Sequence, residues 1–148
     1  MEGQYKYGCS KSILDEWISG YYPIQELSVP AKSSKGVNST KLSSAEQYKL
    51  DASGVASAGD GIFFDAKYSK RFLNYKWTDV VKGYESYGPG LLDLQVNGAS
   101  VDWGAFNWWH KYSYTMPGTD SPATFRINDI YYPNNYGSLN VQISVKLY

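Results

Sequence analysis

The sequence has few of the residues that build disulfides, zinc sites and histidine-based catalytic centres. Its 148 residues include one cysteine, Cys9, and one histidine, His110. A single cysteine excludes an internal disulfide and a cysteine-based zinc site, and a single histidine excludes every paired-histidine metal motif. No apolar run approaches the roughly 20 residues of a membrane-spanning helix, so we expect no membrane span. The first ten residues contain no apolar stretch of the kind found in secretory signals.

An excess of charge of one sign is also absent. Fourteen lysines and arginines balance fourteen aspartates and glutamates, so the formal net charge is zero. The basic residues form no run along the chain. Proteins that bind nucleic acid need a basic surface to neutralise phosphates. We therefore expect no nucleic-acid partner.

Aromatic residues, in contrast, are abundant. They make up 17% of the chain, with 15 Tyr, 5 Trp and 5 Phe. Tyrosine and tryptophan combine a flat apolar face with a polar tip, which suits both β-sheets and surfaces that bind polar ligands. A small β protein also fills its core with such residues. Composition alone leaves both uses open.

Alternating apolar and polar residues predict an all-β fold. Seven or eight short strands separated by regular turn signals are typical of an antiparallel β-sandwich or jelly roll. Asn97-Gly98 is a strong hairpin signal, and we expect a return strand from Val101. Residues 31–40 are predicted to be a loop, and residues 59–90 one irregular strand with long loops. The predicted strands cover residues 25–29, 46–56, 90–98, 108–115, 123–127 and 137–148.

A short helix is predicted before the first strand. Ile13, Leu14, Trp17 and Ile18 have helical spacing, and Ser12 is in the position of an N-cap. We therefore expect a single domain over residues 1–148. It would consist of an N-terminal helical extension over residues 1–23 and a sandwich over residues 24–148.

Few residue patterns in the chain point to catalysis. A Ser-His-Asp arrangement would need His110, which lies in an aromatic segment where a packed histidine is the commoner outcome. No Gly-x-Ser-x-Gly elbow and no glycine-rich phosphate loop occurs. We expect a protein that is not an enzyme, and catalysis through His110 is the least favoured alternative.

The segment from residue 127 to residue 138 has the composition of a calcium site. Asp129, Asn134 and Asn135 carry the hard oxygen ligands that Ca²⁺ prefers. Turns recruit the same residue types, so the composition leaves a plain turn open as well. Because one carboxylate binds Ca²⁺ weakly, Asp60 and Asp65 are the candidates for a second acid. Two hydroxyls of a sugar would complete the coordination of a partly open ion, with tyrosine faces beside the ring.

Several segments resemble the soluble calcium-dependent galactose-binding lectins of the PA-IL type. Residues 48–57 and 91–98 resemble the early and central strands of that family, and residues 125–129 with 134–143 resemble its Asn-Asp to Asn-Asn-x-Gly-Ser ending. The resemblance implies a galactose-binding-like β-sandwich that binds Ca²⁺ and galactose-type sugars. The connection between Asp129 and Asn134 is shorter than the family's.

The residue roles are carried over position by position. As implied side-chain ligands of Ca²⁺ we take Asp129, Asn134 and Asn135, and the carbonyls of Ala58 and of Tyr131 or Tyr132 would join them. Asp129 and Asn134 would also bind sugar hydroxyls. For stacking on the sugar ring, the candidates are Tyr131, Tyr132 and Tyr87.

The leading hypothesis is therefore a calcium-dependent carbohydrate-binding protein. A homo-oligomer would gain avidity, and action outside the cell or at its surface would suit such a protein. The alternative is a structural or attachment module of a larger toxin, fibre or surface assembly. In that case the aromatic residues would bind a protein partner, and the helix around Trp17 would be the docking element.

Overall fold

The computed structural model describes residues 19–74 and 76–148, and this part of the chain is built mostly of β-strands in antiparallel sheets. The predicted all-β class is confirmed for these residues, which include no helix long or apolar enough to cross a bilayer. A 3-10 turn covers Glu85–Tyr87. The strands are β1 (Tyr21–Pro30), β2 (Val37–Leu42), β3 (Gln47–Ser53), β4 (Ala56–Gly59), β5 (Ile62–Phe64), β6 (Ser69–Arg71), β7 (Leu94–Val96), β8 (Lys111–Pro117), β9 (Ser121–Ile127) and β10 (Ser138–Lys146).

The first strand begins earlier than the sequence indicated. The helix predicted around Trp17 lies outside the described residues. β1 starts at Tyr21, and Tyr21, Tyr22 and Pro23 pair with the end of β10. The strand therefore begins three residues before residue 24, the expected start of the sandwich, because cross-strand pairing extends it beyond its alternating centre.

A four-stranded sheet contains the strands with the clearest alternation. Its order is β1-β10-β3-β8, with every neighbouring pair antiparallel. In β3, Tyr48, Leu50 and Ala52 are buried, whereas Lys49 and Asp51 on the opposite face are half-buried. This period of two is the one that predicted the strand.

A three-stranded sheet of order β2-β9-β7 contains a strand that the sequence did not predict. Residues 37–40 were expected to be in a loop, but they form most of β2. Its alternation is carried by polar residues, and buried Ser39 accepts a hydrogen bond from the Ala123 backbone N–H at 2.8 Å. Ser39 occupies a buried position that an apolar side chain occupies in the other strands. The alternation of apolar and polar residues that would have predicted β2 is therefore missing from the sequence.

A third sheet of order β4-β5-β6 folds part of the long aperiodic stretch. The sequence predicted one irregular strand over residues 59–90, and the structure has two strands of three residues each, β5 and β6. Such short strands carry too little alternation to be recognised. This sheet contains the β4–β5 hairpin.

The predicted hairpin at Asn97-Gly98 is half correct. Both residues have positive φ, +53° and +79°, as a tight turn of this type requires. The return strand from Val101 is absent, since Val96 bridges only to Ala99 before the chain leaves the sheet. Trp103 is buried instead, and its indole N–H donates to the Leu94 carbonyl at 3.0 Å. A side chain thus takes the place of a strand partner.

One hydrophobic cluster joins the three sheets. Its fully buried members include Leu50 from the four-stranded sheet, Phe125 from the sheet β2-β9-β7, and Phe64 from the third sheet. Burial of such side chains contributes about 1.5–3 kcal/mol each. The cluster therefore fixes the position of the short third sheet as well as the two larger ones.

Gly36 lies where the chain enters β2, and replacing it tests the close approach of that strand to β9. A Cβ at this position would overlap the Phe125 carbonyl oxygen and lie 2.6 Å from the Arg126 Cβ. We expect Gly98→Ala, which has a similar φ and open space, to cost about 1–2 kcal/mol of unfolding free energy for its positive φ. Gly36→Ala should cost about 1–3 kcal/mol more. Urea unfolding measures both, and equal losses would contradict the packing of β2 on β9.

Candidate functional site

A cleft of about 360 Å³ opens where the β4–β5 hairpin meets the loop from residue 81 to residue 92 and the connection between β9 and β10. More than half of its lining residues are apolar. The apolar lining consists of Ala58, Ile62, Val81, Leu91, Leu92 and Ile130, and the remaining lining residues are Asp60, Tyr84, Asp129, Tyr131 and Asn134.

Most of the predicted site residues meet in this cleft. Ala58 and Asp60 reach it from the β4–β5 hairpin, and Asp129, Tyr131 and Asn134 reach it from the connection before β10. The two groups are about seventy residues apart in the chain. The bridge between Ser57 and Tyr136, with backbone hydrogen bonds of 3.0 Å in both directions, holds the two segments together.

The Asp129 carboxylate accepts fewer hydrogen bonds than its two oxygens can. Its Oδ1 accepts hydrogen bonds from the backbone N–H groups of Ile130 at 2.6 Å and Tyr131 at 3.3 Å. Its Oδ2 accepts one from the Asn135 Nδ2 at 2.7 Å. A carboxylate offers about four lone-pair positions, so Oδ2 retains capacity for one more partner.

Asn135 lies behind Asp129 and does not line the cleft. It is 1% exposed, and its Nδ2 donates to the Ala31 carbonyl at 2.9 Å as well as to Asp129. These two acceptors fix the orientation of the amide. Its Oδ1 is buried and accepts no hydrogen bond from any protein group within residues 19–74 and 76–148. An acceptor left alone in this way is rare in folded proteins, since its desolvation is not repaid.

Asn134 packs directly over the β4–β5 turn. A Cβ added at Gly59 would lie 2.6 Å from the Asn134 Nδ2, and Gly59 has a φ of +80°. Both the close approach and the backbone conformation therefore require glycine here. The Asn134 side chain is thus held against the β4–β5 turn, and it lines the cleft together with Asp60.

Two of the tyrosines predicted to contact sugar lie outside the cleft. The Tyr132 hydroxyl donates to the Ile127 carbonyl at 2.6 Å and accepts from the Asp129 N–H at 3.1 Å, so its side chain braces the connection. Tyr87 lies in the 3-10 turn, exposed, with its ring 6.3 Å from that of Tyr84. Tyr84, which the sequence analysis did not single out, is the tyrosine of this pair that lines the cleft.

Arg71 joins two walls of the cleft. Its Nη1 donates to the Asp60 carbonyl at 3.1 Å, and its Nε donates to the Lys82 carbonyl at 2.9 Å. Its guanidinium lies 6.0 Å from the centre of the Tyr84 ring. The loop that carries Val81 and Tyr84 is thereby attached to the β4–β5 hairpin, although it contains no strand that would pair with it.

The oxygen donors at the cleft are of the hard type. Asp60 and Asp129 supply carboxylates, and amide and carbonyl oxygens accompany them. Within residues 19–74 and 76–148, no three His, Cys, Asp or Glu side chains come together as a metal-binding group. Carboxylate, amide and carbonyl oxygens are the ligand types that Ca²⁺ prefers.

Asp65 is used elsewhere and supplies no acid to the cleft. It is fully buried, and its Oδ1 accepts from the backbone N–H groups of Lys67 and Tyr68. Its Oδ2 lies 2.7 Å from the His110 Nδ1 and accepts from the Tyr112 hydroxyl at 2.6 Å. Burial, and then this hydrogen bond, raise the pKa of the Tyr112 hydroxyl. His110 is thus a packed, hydrogen-bonded residue, as its aromatic surroundings indicated.

Comparison of the chain with protein-family models, with curated proteins and with solved structures finds no match. The chemistry of the cleft is therefore what bears on function.

The buried Asp65 network should be measurable in stability. We expect Tyr112→Phe to lower the unfolding free energy by about 1–3 kcal/mol, because a buried carboxylate loses a donor. Tyr114→Phe is the control, since its hydroxyl has no hydrogen bond within the described part of the chain, and it should change stability by less than about 0.5 kcal/mol. Chemical denaturation at neutral pH compares them. A Tyr112→Phe effect as small as the control's would show that the Tyr112–Asp65 bond does not stabilise the fold.

Proposed function

We propose that the protein is a calcium-dependent carbohydrate-binding protein that binds galactose-type sugars and does not catalyse a reaction. The scaffold we propose for it is a β-sandwich of the jelly-roll type. The observation that carries the proposal is the buried Oδ1 of Asn135, which has no hydrogen-bond donor in the described part of the chain and belongs to the side chain that donates to Asp129.

This oxygen fits a cation better than it fits a plain turn. In a plain turn the Asn135 amide would be expected to use both of its polar atoms, because an unpaired buried acceptor costs about 1–3 kcal/mol. A bound cation would satisfy it and would also use the spare capacity of the Asp129 Oδ2. The residues that would hold Ca²⁺ are Asp129, Asn134 and Asn135, with the carbonyls of Ala58 and Tyr131.

Asp60 supplies the second negative charge that a single carboxylate lacks. It lines the same cleft as Asp129. Two carboxylates among six to eight oxygen ligands are a common composition for Ca²⁺ sites, and ligand charge raises affinity. The bound ion would supply a charge to which two neighbouring hydroxyls of a sugar bind.

The rest of the cleft suits a small sugar. Its volume of about 360 Å³ is near the lower end of the range for ligand sites. The apolar lining and the rings of Tyr84 and Tyr131 provide surface for the C–H face of a pyranose. The Asn134 amide, which lines the cleft, has the donor and acceptor that sugar hydroxyls need. The resemblance to the PA-IL type of lectin points to galactose as the first sugar to test.

Calcium should stabilise the folded protein through Asp129. We expect millimolar CaCl₂ to raise the melting temperature relative to the protein in EDTA, because a ligand that binds only the folded state stabilises it by mass action. Asp129→Ala should lose most of that shift. Asp79→Ala removes an equal charge from an exposed carboxylate outside the cleft and should keep it. Differential scanning fluorimetry measures all three.

If calcium leaves the melting temperature of the unsubstituted protein unchanged, the proposed calcium site is rejected. A shift that Asp129→Ala retains in full would place the ion elsewhere.

Galactose should bind in calcium and not in EDTA. By isothermal titration with methyl galactoside, we expect Asn134→Ala to weaken binding about tenfold, the loss of one good hydrogen bond. Asn140→Ala, on the four-stranded sheet, should bind as the unsubstituted protein does. Binding that is equal in calcium and in EDTA would contradict the proposal.

A second candidate is the attachment module of a larger assembly. It is favoured by Phe72 and Leu73, two adjacent apolar side chains that are exposed in the turn after β6. Such residues occur where proteins meet, including the contacts of a homo-oligomer. A glycan array probed with and without calcium separates the candidates, because an attachment module that binds a protein partner would give no calcium-dependent sugar signal.

A further inference from the structure

Trp108 and Trp109 are two adjacent, exposed tryptophans, and we call this pair the tip. They lie at the two corners of a turn that is closed by a hydrogen bond from the His110 N–H to the Asn107 carbonyl at 3.1 Å. Trp108 is 71% exposed and Trp109 is 77% exposed. Tryptophan is usually well buried in folded proteins. Two adjacent exposed tryptophans are therefore typical of a surface that binds a ligand.

The turn beneath the tip is held firmly. The Asn107 side chain donates to the Lys111 carbonyl at 2.6 Å and accepts from the Lys111 N–H at 3.1 Å. His110 follows the tryptophans and is bound at 2.7 Å to the fully buried carboxylate of Asp65. These contacts fix the backbone of the turn before any ligand binds. The entropic cost of ordering this turn on binding is therefore small.

Aromatic packing supports the tip from below. The ring of Phe106 stacks on Trp77 at 5.7 Å and meets Trp108 edge-on at 5.1 Å. The His110 ring lies 4.5 Å from that of Trp77. Trp108 thus rests on a packed aromatic base, and its remaining surface faces solvent.

The charges around the tip are balanced. Lys76 and Lys111 adjoin the aromatic cluster in sequence, and both are exposed. Tyr68, which packs against Phe106 at 5.6 Å, is acted on electrostatically by Lys67 as well as by Asp79, Asp65 and Asp102. Nucleic acids and anionic membranes are recognised through an excess of positive charge. A balanced surface favours a neutral ligand.

The size of the tip also limits its ligand. Two tryptophans offer about 300–500 Å² of contact surface, whereas a stable protein interface buries about 800 Å² on each side. Flat aromatic faces with a polar N–H at the edge match pyranose rings, which have an apolar face bordered by hydroxyls. None of the tip residues lines the cleft.

We propose that Trp108 and Trp109 form a second carbohydrate-contacting site, which stacks on the pyranose rings of neutral polysaccharides and needs no calcium. The site is separate from the cleft and does not depend on the function proposed for it. A chain with both sites would hold a polysaccharide at two points and gain avidity.

Affinity electrophoresis in native gels tests the site. The gels contain EDTA and either galactomannan, xyloglucan or a mixed-linkage β-glucan. We expect at least one of these to retard the unsubstituted protein, and the double variant Trp108→Ala/Trp109→Ala to bind at least tenfold more weakly. Trp108→Tyr/Trp109→Tyr should keep part of the retardation, because it keeps aromatic faces. Phe72→Ala/Leu73→Ala is the matched control and should be retarded fully, since it removes exposed apolar surface elsewhere.

The outcomes separate this site from the cleft. Asp129→Ala should be retarded as strongly as the unsubstituted protein, even if the calcium proposal fails. The tip proposal is overturned if no polysaccharide retards the unsubstituted protein, or if the tryptophan double variant is retarded equally. Tryptophan-dependent sedimentation with phosphatidylcholine vesicles in the absence of polysaccharide retardation would assign the tip to a membrane surface instead. The melting temperature of each variant establishes that it is folded.

Discussion

The buried amide of Asn135 is the interaction on which the geometry of the cleft depends. One nitrogen donates both to the Ala31 carbonyl, just beyond the end of β1, and to the Asp129 carboxylate. The connection between β9 and β10 is thereby attached to a strand more than 100 residues earlier in the chain. The oxygen of the same amide is buried, and no described residue donates a hydrogen bond to it. An acceptor on the side chain that donates to a carboxylate is the arrangement that we propose a cation stabilises.

The fold could be predicted where alternation is carried by apolar residues. β3, β9 and β10 are such strands, and each was expected close to its observed position. β2 was missed because Ser39 occupies a buried position that a hydrophobic pattern assigns to an apolar residue. The prediction of a return strand from Val101 was wrong for a different reason. The indole N–H of Trp103 donates to the Leu94 carbonyl, which a strand partner would otherwise have bound.

The candidate site was predictable in part. Asp129, Asn134 and Asn135 lie within seven residues, so their types alone pointed to hard-oxygen chemistry. The apolar lining of the cleft was not predictable, because Val81 and Tyr84 reach it through a loop that Arg71 attaches by side-chain hydrogen bonds. Asp65, in contrast, was a predicted candidate for the site that does not line the cleft. Its position in sequence allowed a role at the cleft, but burial against His110 and Tyr112 commits it to the interior.

A crystal structure of the protein grown in CaCl₂, with anomalous diffraction data, tests the central claim most directly. We expect one anomalous peak beside Asp129, about 2.3–2.6 Å from a carboxylate oxygen of that residue and from the side-chain oxygen of Asn135. If calcium is saturating and the Asn135 oxygen is instead hydrogen-bonded to water, with no peak beside Asp129, the account is contradicted.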